Sequence, residues 1–390
     1  MKTIVVLGAG YAGLRVVKEL TDHKANAKIV LINKNSYHYE STQLHEVAIG
    51  SKSQNDISLS IRDAIGDQVN FIEDEVVKID RHNKKVELKN KAAVSYDYLV
   101  TCLGFESETF GIKGAEEFGL PIIDIDTALA AKKHLEETLA RFQTSHNEND
   151  LHIIVCGAGF TSIEYIGELV HRLPDFIKEF NLPAEKIKIY CIEAAPKVLP
   201  MFDPELVAYA VEYLKNQGVE FHTETPITEV KKGAVISKDK VFNANTIIWT
   251  TGVKGSHVIN DSGYTQKRNR VAVQNDLTSS DDPDEFIIGD VSAVPSPDGR
   301  FYPTTGQISI AQATLAATNI IAKLNNQKTS PFVYHSLGTV CSLGPTNGVA
   351  ELSFMGHWKL KGHKVAPLKR IVNDRSVFEL AGFKAMMSSK

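Results

Sequence analysis

The sequence predicts an α/β chain with two Rossmann-like dinucleotide-binding domains and a C-terminal appendage. Three observations carry that prediction. "VLGAGYAGLR" (Val6–Arg15) and "VCGAGFTSIE" (Val155–Glu164) are near repeats, each set between an apolar strand-like run and a helical apolar face. The last forty residues then reverse the charge balance of the chain.

In the first unit the strand is Thr3 to Leu7, and Gly8, Gly10 and Gly13 complete GxGxxG. Leu14, Val16, Val17 and Leu20 form the apolar face of the following helix. Such a turn lets backbone N–H groups and a helix N-terminus close on a pyrophosphate that side chains would otherwise block. The second strand, "AKIVLINKN", ends on Asn33 and Lys34, without the carboxylate that usually accepts from ribose hydroxyls. "VSYDYLVTCLGF" reads as a later strand ending on Gly104.

The second unit opens with a strand from Leu151 to Cys156, and Gly157, Gly159, Phe160 and Thr161 form its loop. Ser162 stands in place of the third glycine and is small enough to keep helix and sheet close. "KIKIYCIEAAP" puts Glu193 at the end of the next strand, where it would accept from ribose hydroxyls and repel a 2′-phosphate, favouring NADH over NADPH. "TIIWTTGV" ends on Gly252, and Gly104 and Gly252 mark the points where the chain passes between domains. "DEFIIGD" returns to the first domain and places Asp290 at a strand end, where it can hold a cofactor hydroxyl. The domains expected are 1–111 with 251–325 for one dinucleotide, 112–250 for the other, and 326–390 as the appendage.

With 390 residues, 43% hydrophobic and 23% charged, the chain has the composition of an ordinary soluble core. A net charge of −4 argues against nucleic acid as a partner. No uninterrupted apolar run is long enough to span a bilayer, and the first residues enter a strand without a signal peptide, so a cytosolic location or the cytosolic membrane face is expected. Cys102, Cys156, Cys191 and Cys341 form no CxxC or CxxxxC pair, so neither a zinc site nor a flavin-linked redox disulfide is readable.

Taken in order, "VLGAGYAGL", "LINKNSYHYESTQLHE", "LVTCLGFESETFGI", "GAGFTSIEYIGEL", "CIEAAPKVLPMF", "IIWTTGVKGS", "IIGDVSAV", "YPTTGQISIAQ" and "GTVCSLG" resemble the type II NADH:quinone oxidoreductases, particularly bacterial menaquinone-reducing ones. The resemblance runs almost end to end and implies the two-dinucleotide-binding flavoprotein fold. It implies hydride transfer from NADH to noncovalent FAD and then reduction of a membrane quinone without proton pumping. By this resemblance Gly8, Ala9, Gly10, Tyr11 and Ala12, with Asn33, Lys34, Val76, Asp290 and Lys369, would touch FAD. Gly306, Gln307, Ile308, Ser309, Ile310 and Ala311 would lie beside the isoalloxazine, Gln307 nearest the quinone. Ala311 stands where the family's usual "AQIAMQ" has its final glutamine, which removes one polar contact from the quinone site.

Glu164 follows Gly157 by seven residues, about two turns into the helix whose start would bind the NADH phosphates. The resemblance makes it the catalytic candidate, and Glu168 lies one turn later on the same face. A desolvated carboxylate there is expected to have a raised pKa and to handle quinone protons.

From Glu351 onward eight lysines and arginines stand against three acids, together with Trp358, Leu368, Ile371, Val372, Phe378, Phe383, Met386 and Met387. The tail reads as an interfacial anchor on anionic lipid, with a basic helix packed on the core or in a homodimer as the alternative. Sulfide:quinone oxidoreductase shares the implied fold, FAD and membrane habit but needs paired reactive cysteines. A non-enzymatic FAD- and NAD-binding regulator would show no NADH oxidation by quinone.

Overall fold

The computed structural model describes the chain apart from Asp239, Phe354, Met355, Ser389 and Lys390, and gives only the backbone of residues 383–388. Phe383, Met386 and Met387 of the expected anchor therefore lie outside the described side chains.

Two five-stranded parallel sheets organise the molecule. The first runs Glu285–Ile287, Tyr98–Thr101, Lys2–Leu7, Ala27–Asn33, Asn70–Glu73 in spatial order. The second runs Leu120–Pro121, Thr246–Trp249, His152–Cys156, Lys188–Ile192, Val219–His222. Their central strands are unbroken apolar runs because helices and loops cover both faces of a parallel sheet; Ile4 to Leu7 and Ile153 to Cys156 are all buried. Leu7 stands opposite Ile32 and Cys156 opposite Ile192, so Asn33 and Glu193 occupy equivalent places at the carboxyl ends of their strands.

The strands expected to end on Gly104, Gly252 and Asp290 stop earlier, at Thr101, Trp249 and Ile287. The residues beyond two of them turn onto the glycine loops. A Cβ on Gly8 (φ 96°) would fall 2.5 Å from the Cys102 carbonyl oxygen, and one on Gly157 (φ 103°) 2.6 Å from that of Thr250. Only glycine satisfies both the left-handed φ and that approach. At the third-glycine position of the second loop, buried Ser162 pairs its hydroxyl with that of Thr250 at 2.9 Å.

The chain crosses between the sheets twice, and the crossings pair antiparallel, Phe105–Ser107 with Val253–Gly255. The helix Leu44–Ile49 leaves the first sheet's segment and buries Leu44, Val47 and Ile49 in the core of the second. A three-stranded antiparallel sheet, Gly338–Ser342, Gly348–Leu352 and Trp358–Lys361, precedes the tail helix Val365–Ser388, which kinks at Gly382. That sheet meets the helix Phe160–Glu179 backbone to backbone: a Cβ on Gly167 would lie 2.6 Å from the Gly344 nitrogen.

The tail helix packs by one face. Val377 and Leu380 are buried, Ser376 donates to Glu40 at 3.2 Å, and Arg15 Nη1 donates to the Glu379 carbonyl at 2.9 Å. Ile371 and Phe378 face outward, whereas Leu368 and Val372 are half-buried. Among the described residues no helix is long and apolar enough to cross a membrane. All four cysteines are buried and free.

Candidate active site

The two glycine loops are built on one plan with one charge changed. In the first, the Ala9 N–H donates to Asn33 Oδ1 at 2.9 Å, and Asn33 Nδ2 donates to the Asn35 carbonyl at 2.8 Å. In the second, the Ala158 N–H donates to Glu193 Oε2 at 2.8 Å, and the Ala195 N–H to Glu193 Oε1 at 2.7 Å. Gly10 and Gly159 cap the helices Tyr11–Asp22 and Phe160–Glu179 with no side chain on the first-turn N–H groups. Neither glycine has a heavy atom within 4 Å of where its Cβ would stand. Each loop thus presents free donors and a positive helix end to open space, which fits a pyrophosphate. Neutral Asn33 and anionic Glu193 then set different surroundings for a ribose.

Gly13 packs on the Gly8 carbonyl, Ala12 is buried, and Val76 is buried at the start of the strand Val76–Asp80. Lys34 Nζ lies 3.5 Å from Asp124 Oδ2, turning that exposed side chain toward the second unit. Gly104 has open space at its Cβ position. Burial pushes the Asp290 carboxyl up to about 6 against the pull of Arg270.

Gly306 lies against the Tyr11 ring, a Cβ there falling 3.2 Å from it. It opens the helix Gly306–Leu324, where the Ile308 N–H is capped by Thr305 Oγ1, Ser309 is buried, and Ile310 and Ala311 are half-buried. Gln307 is exposed and accepts from the Tyr334 hydroxyl at 3.1 Å. The next glutamine, Gln312, does not replace the side chain missing at Ala311. It is buried and accepts the Gly289 N–H at 2.7 Å. In the second unit Phe160 packs on Phe202, Thr161 is exposed, and Gly252 lies beside Phe110 and Arg268.

The segment Tyr37 to Ile49 joins the first loop to Glu164. His38 Nδ1 bonds the Ala9 carbonyl at 2.9 Å, and the Tyr11 hydroxyl donates to Glu40 Oε2 at 3.0 Å. Further along the same segment, buried His45 puts Nδ1 3.8 Å from Glu164 Oε2. The sequence offers "YHYESTQLHE" as a motif, but the roles of His38, Glu40 and His45 emerge only when the segment is seen spanning the two units.

Glu164 and Glu168 are both buried but differ in electrostatics. Glu164 Oε1 accepts from Lys369 Nζ at 2.6 Å and from the Ser342 N–H and hydroxyl at 3.0 Å each. Burial alone would raise its pKa, but Lys369, His45 and the Ser342 bond hold it below the usual carboxylate range. This corrects the expectation of a raised value at Glu164, and Lys369, expected beside FAD, has its ammonium on this carboxylate. The raised group is Glu168, pushed up to about 7 by burial, with Glu46 and Glu164 adding and Ser51 and Lys52 opposing. The Ser51 hydroxyl donates to it at 2.8 Å. Neither serine carries a local signature that would single it out in the sequence.

The chain matches the pyridine nucleotide-disulphide oxidoreductase family over residues 2–317. It is 42% identical to the type II NADH:quinone oxidoreductase of Staphylococcus saprophyticus, over 98% of this chain and 96% of that protein. Against the Staphylococcus haemolyticus protein of the same name the identity is 43% with the same coverage. Among solved structures, NDH2 from Plasmodium falciparum in complex with NADH superposes with a TM-score of 0.88 at 17% identity, covering 100% of this chain and 97% of that one. The sulfide:quinone oxidoreductase of Aquifex aeolicus superposes with a TM-score of 0.80 at 18% identity, covering 98% and 92%. The two structural likenesses speak to the fold alone.

Proposed function

The chain belongs to the type II NADH:quinone oxidoreductases, and from that premise we propose how its two loops divide the work: FAD in the first, NADH in the second. The enzyme oxidises NADH and passes the electrons through its flavin to a quinone. Menaquinone is the quinone proposed, and the membrane's cytoplasmic face the place of work, the protein lying on it peripherally. In this reading 1–111 with 251–325 carry FAD, 112–250 carry NADH, and 326–390 meet the lipid, with a second copy of the chain as a further partner for the tail.

The observation that carries the division is the exchange of Asn33 for Glu193 at matched positions of matched loops. A carboxylate at the second loop can accept from both ribose hydroxyls of NADH and repels the extra phosphate of NADPH. The first loop's open cradle at Gly10 and the donors of its uncapped helix fit the FAD pyrophosphate. Asp290, Gly306 to Ala311 and Tyr11 would complete that site, and exposed Gln307 would face the quinone. When bound, FAD supplies the two-electron step between a hydride donor and a quinone. The protein's part is to position both, and Glu164 is proposed as the residue serving the quinone. Sulfide:quinone chemistry is disfavoured because burial pushes the thiols of Cys102, Cys156, Cys191 and Cys341 up and none is paired.

Anaerobic titration of the purified protein tests the proposal. NADH should bleach the flavin absorbance and a soluble naphthoquinone should restore it. A protein that purifies with flavin but is not bleached by NADH would overturn it.

A further inference from the structure

A hydride passes only between rings held in contact, so the angle between a unit that carries flavin and a unit that carries NADH is itself part of the catalyst. The chain joins the two units by two crossings, Phe105–Ser107 and Val253–Gly255. Whatever fixes the crossings fixes the angle.

One side chain holds both. Arg268 stands in a loop flanked by Tyr264 and Val271, which are buried in the core of the first unit. Its Nε donates to Glu108 Oε2 at 2.9 Å, just past the first crossing, and its Nη2 donates to the Val253 carbonyl at 2.9 Å, in the second. Its own carbonyl accepts the Gly255 N–H at 2.9 Å. Glu108 in turn is tied to the second unit by its backbone. The Glu108 carbonyl accepts from the Trp249 indole at 2.9 Å and the Thr251 hydroxyl at 3.2 Å, and its N–H donates to the Gly252 carbonyl at 3.1 Å. Thr250, between those partners, is the residue packed on Gly157 and bonded to Ser162. A continuous run of contacts therefore leads from the first unit's core to the second glycine loop.

The backbone is strained on both sides of this clasp. Phe110, Arg268 and Asn269 have φ of 52°, 56° and 56°, a region unfavourable for any residue but glycine and most so for a bulky one. Glu108 Oε1 accepts the Phe110 N–H at 2.8 Å, and the Arg268 guanidinium lies 5.0 Å from the centre of the Phe110 ring. Because the Arg268 side chain is 45% exposed, its ion pair with Glu108 adds little to stability. Strain held at a contact that barely stabilises is accounted for by the geometry that the contact fixes.

We propose that Arg268 is a positioning residue for hydride transfer: with Glu108 and Phe110 it pins both crossings and so sets the distance between nicotinamide and flavin. The inference rests on the reading above, in which the first loop holds FAD and the second NADH. In the step it serves, a C–H bond of the dihydronicotinamide breaks and the hydrogen joins the flavin with both electrons of that bond. Arg268 gives and takes nothing in it.

The test is stopped-flow bleaching of the FAD-loaded enzyme over a series of NADH concentrations, followed by reoxidation with a soluble naphthoquinone. Flavin content and melting temperature identify the variants that fold. Arg268→Met keeps the stem and removes both donors; it should slow the limiting bleaching rate about tenfold, as a small misplacement of reacting groups does. The NADH concentration giving half that rate should stay near the wild-type value, and reoxidation by the quinone should be unchanged. The long-wavelength charge-transfer absorbance between NAD⁺ and reduced flavin should weaken in step. Arg268→Lys keeps the charge but not the fork that reaches both acceptors, so it should recover only part of the rate. Adding Glu108→Gln to Arg268→Met should slow bleaching no further, since both changes break one contact. If folded Arg268→Met keeps the wild-type bleaching rate and charge-transfer absorbance, or slows bleaching and reoxidation alike, the clasp only stabilises and the inference falls. It falls equally if the loss lies wholly in the NADH concentration needed, or if the two substitutions slow bleaching independently. If wild-type enzyme with full flavin is not bleached by NADH at all, the functional reading has failed, and this inference with it.

Discussion

Lys369 reaches Glu164 across 205 positions of sequence and donates to it at 2.6 Å, so the tail of the chain is tied to the helix behind the second glycine loop. Both side chains are largely withdrawn from water, at 16% and 6% exposure. A buried ion pair owes little to Coulomb attraction after desolvation, but removing one partner strands the other's charge. The contact therefore works as a constraint on geometry: the tail must seat correctly for Glu164 to sit ionised among Ser342, His45 and Lys369.

Glu164→Gln should keep the fold and the flavin yet lose quinone turnover, with kcat and kcat/KM measured separately to locate the lost interaction. Lys369→Met, which leaves Glu164 charged and unpaired, should cost about 3–5 kcal/mol in denaturant unfolding. The double variant should recover part of that loss. Because the folded pKa of Glu164 is depressed, its stabilisation is present above its unfolded value and fades as pH falls through the folded one. The acid limb of the stability curve should accordingly flatten in Glu164→Gln.

Glu193→Gln keeps an oxygen for the Ala158 N–H but removes the charge. The preference for NADH over NADPH, read as the ratio of kcat/KM, should shrink about tenfold, equivalent to about 1.4 kcal/mol. Wild-type enzyme that handles the two cofactors equally would remove Glu193 from this role.

Glu168 has the opposite sign from Glu164. Its folded pKa of about 7 lies above the unfolded value of 4.5. The stability this contributes is full below 4.5, is lost as pH rises through 7, and leaves a net penalty for the ionised form above that. Glu168→Gln should therefore gain stability relative to wild type from pH 6 to 8.5, by up to about 3 kcal/mol if the whole shift is felt. A stability difference that does not change with pH would mean that Glu168 titrates normally.

The parts of this fold readable in the sequence are those with a strong local cause. Gly8 and Gly157 announce their turns because no other residue tolerates both the φ and the carbonyl 2.5 to 2.6 Å from a Cβ. The strands between Ile4 and Leu7 and between Ile153 and Cys156 are legible because burial on both faces demands an apolar run. What stays hidden depends on distant segments. The low pKa of Glu164 requires knowing that Lys369 and Ser342 arrive beside it, and the high one of Glu168 that burial there outweighs the Ser51 hydroxyl and the Lys52 charge. Strand ends were also misplaced at Gly104 and Gly252, since glycine marks where the chain can approach a ligand and not where its ladder stops.

Gly167 offers a test of how the C-terminal sheet is seated. A methyl group there would collide with the backbone at Leu343 and Gly344, neither of which is a flexible side-chain tip. Gly167→Ala should lower stability by about 1–3 kcal/mol through overpacking. It should also loosen the Ser342 bonds to Glu164, slowing quinone turnover more than flavin bleaching by NADH. Equal effects on the two half-reactions would show that the sheet only stabilises.

The outer face of the tail helix should carry membrane attachment. Ile371 is 62% and Phe378 48% exposed, while the opposite face is committed to Glu40, Glu164 and the Arg15 contact with Glu379. Arg370, next to Ile371 in the helix and at the edge of a cavity beside Lys369, is exposed as well. Each Lys or Arg near an anionic surface contributes about 1 kcal/mol, screened by salt, and the apolar side chains add a part that salt does not remove. The flavin-loaded protein should bind phosphatidylglycerol vesicles at low salt and be only partly released at high salt. Ile371→Ser with Phe378→Ser and Arg370→Glu should release it at any salt, and since none of these three touches Glu164, flavin content and bleaching by NADH should be preserved. If wild-type protein with full flavin fails to bind such vesicles even at low salt, the exposed face has another use, and sedimentation should then show a second copy of the chain covering it.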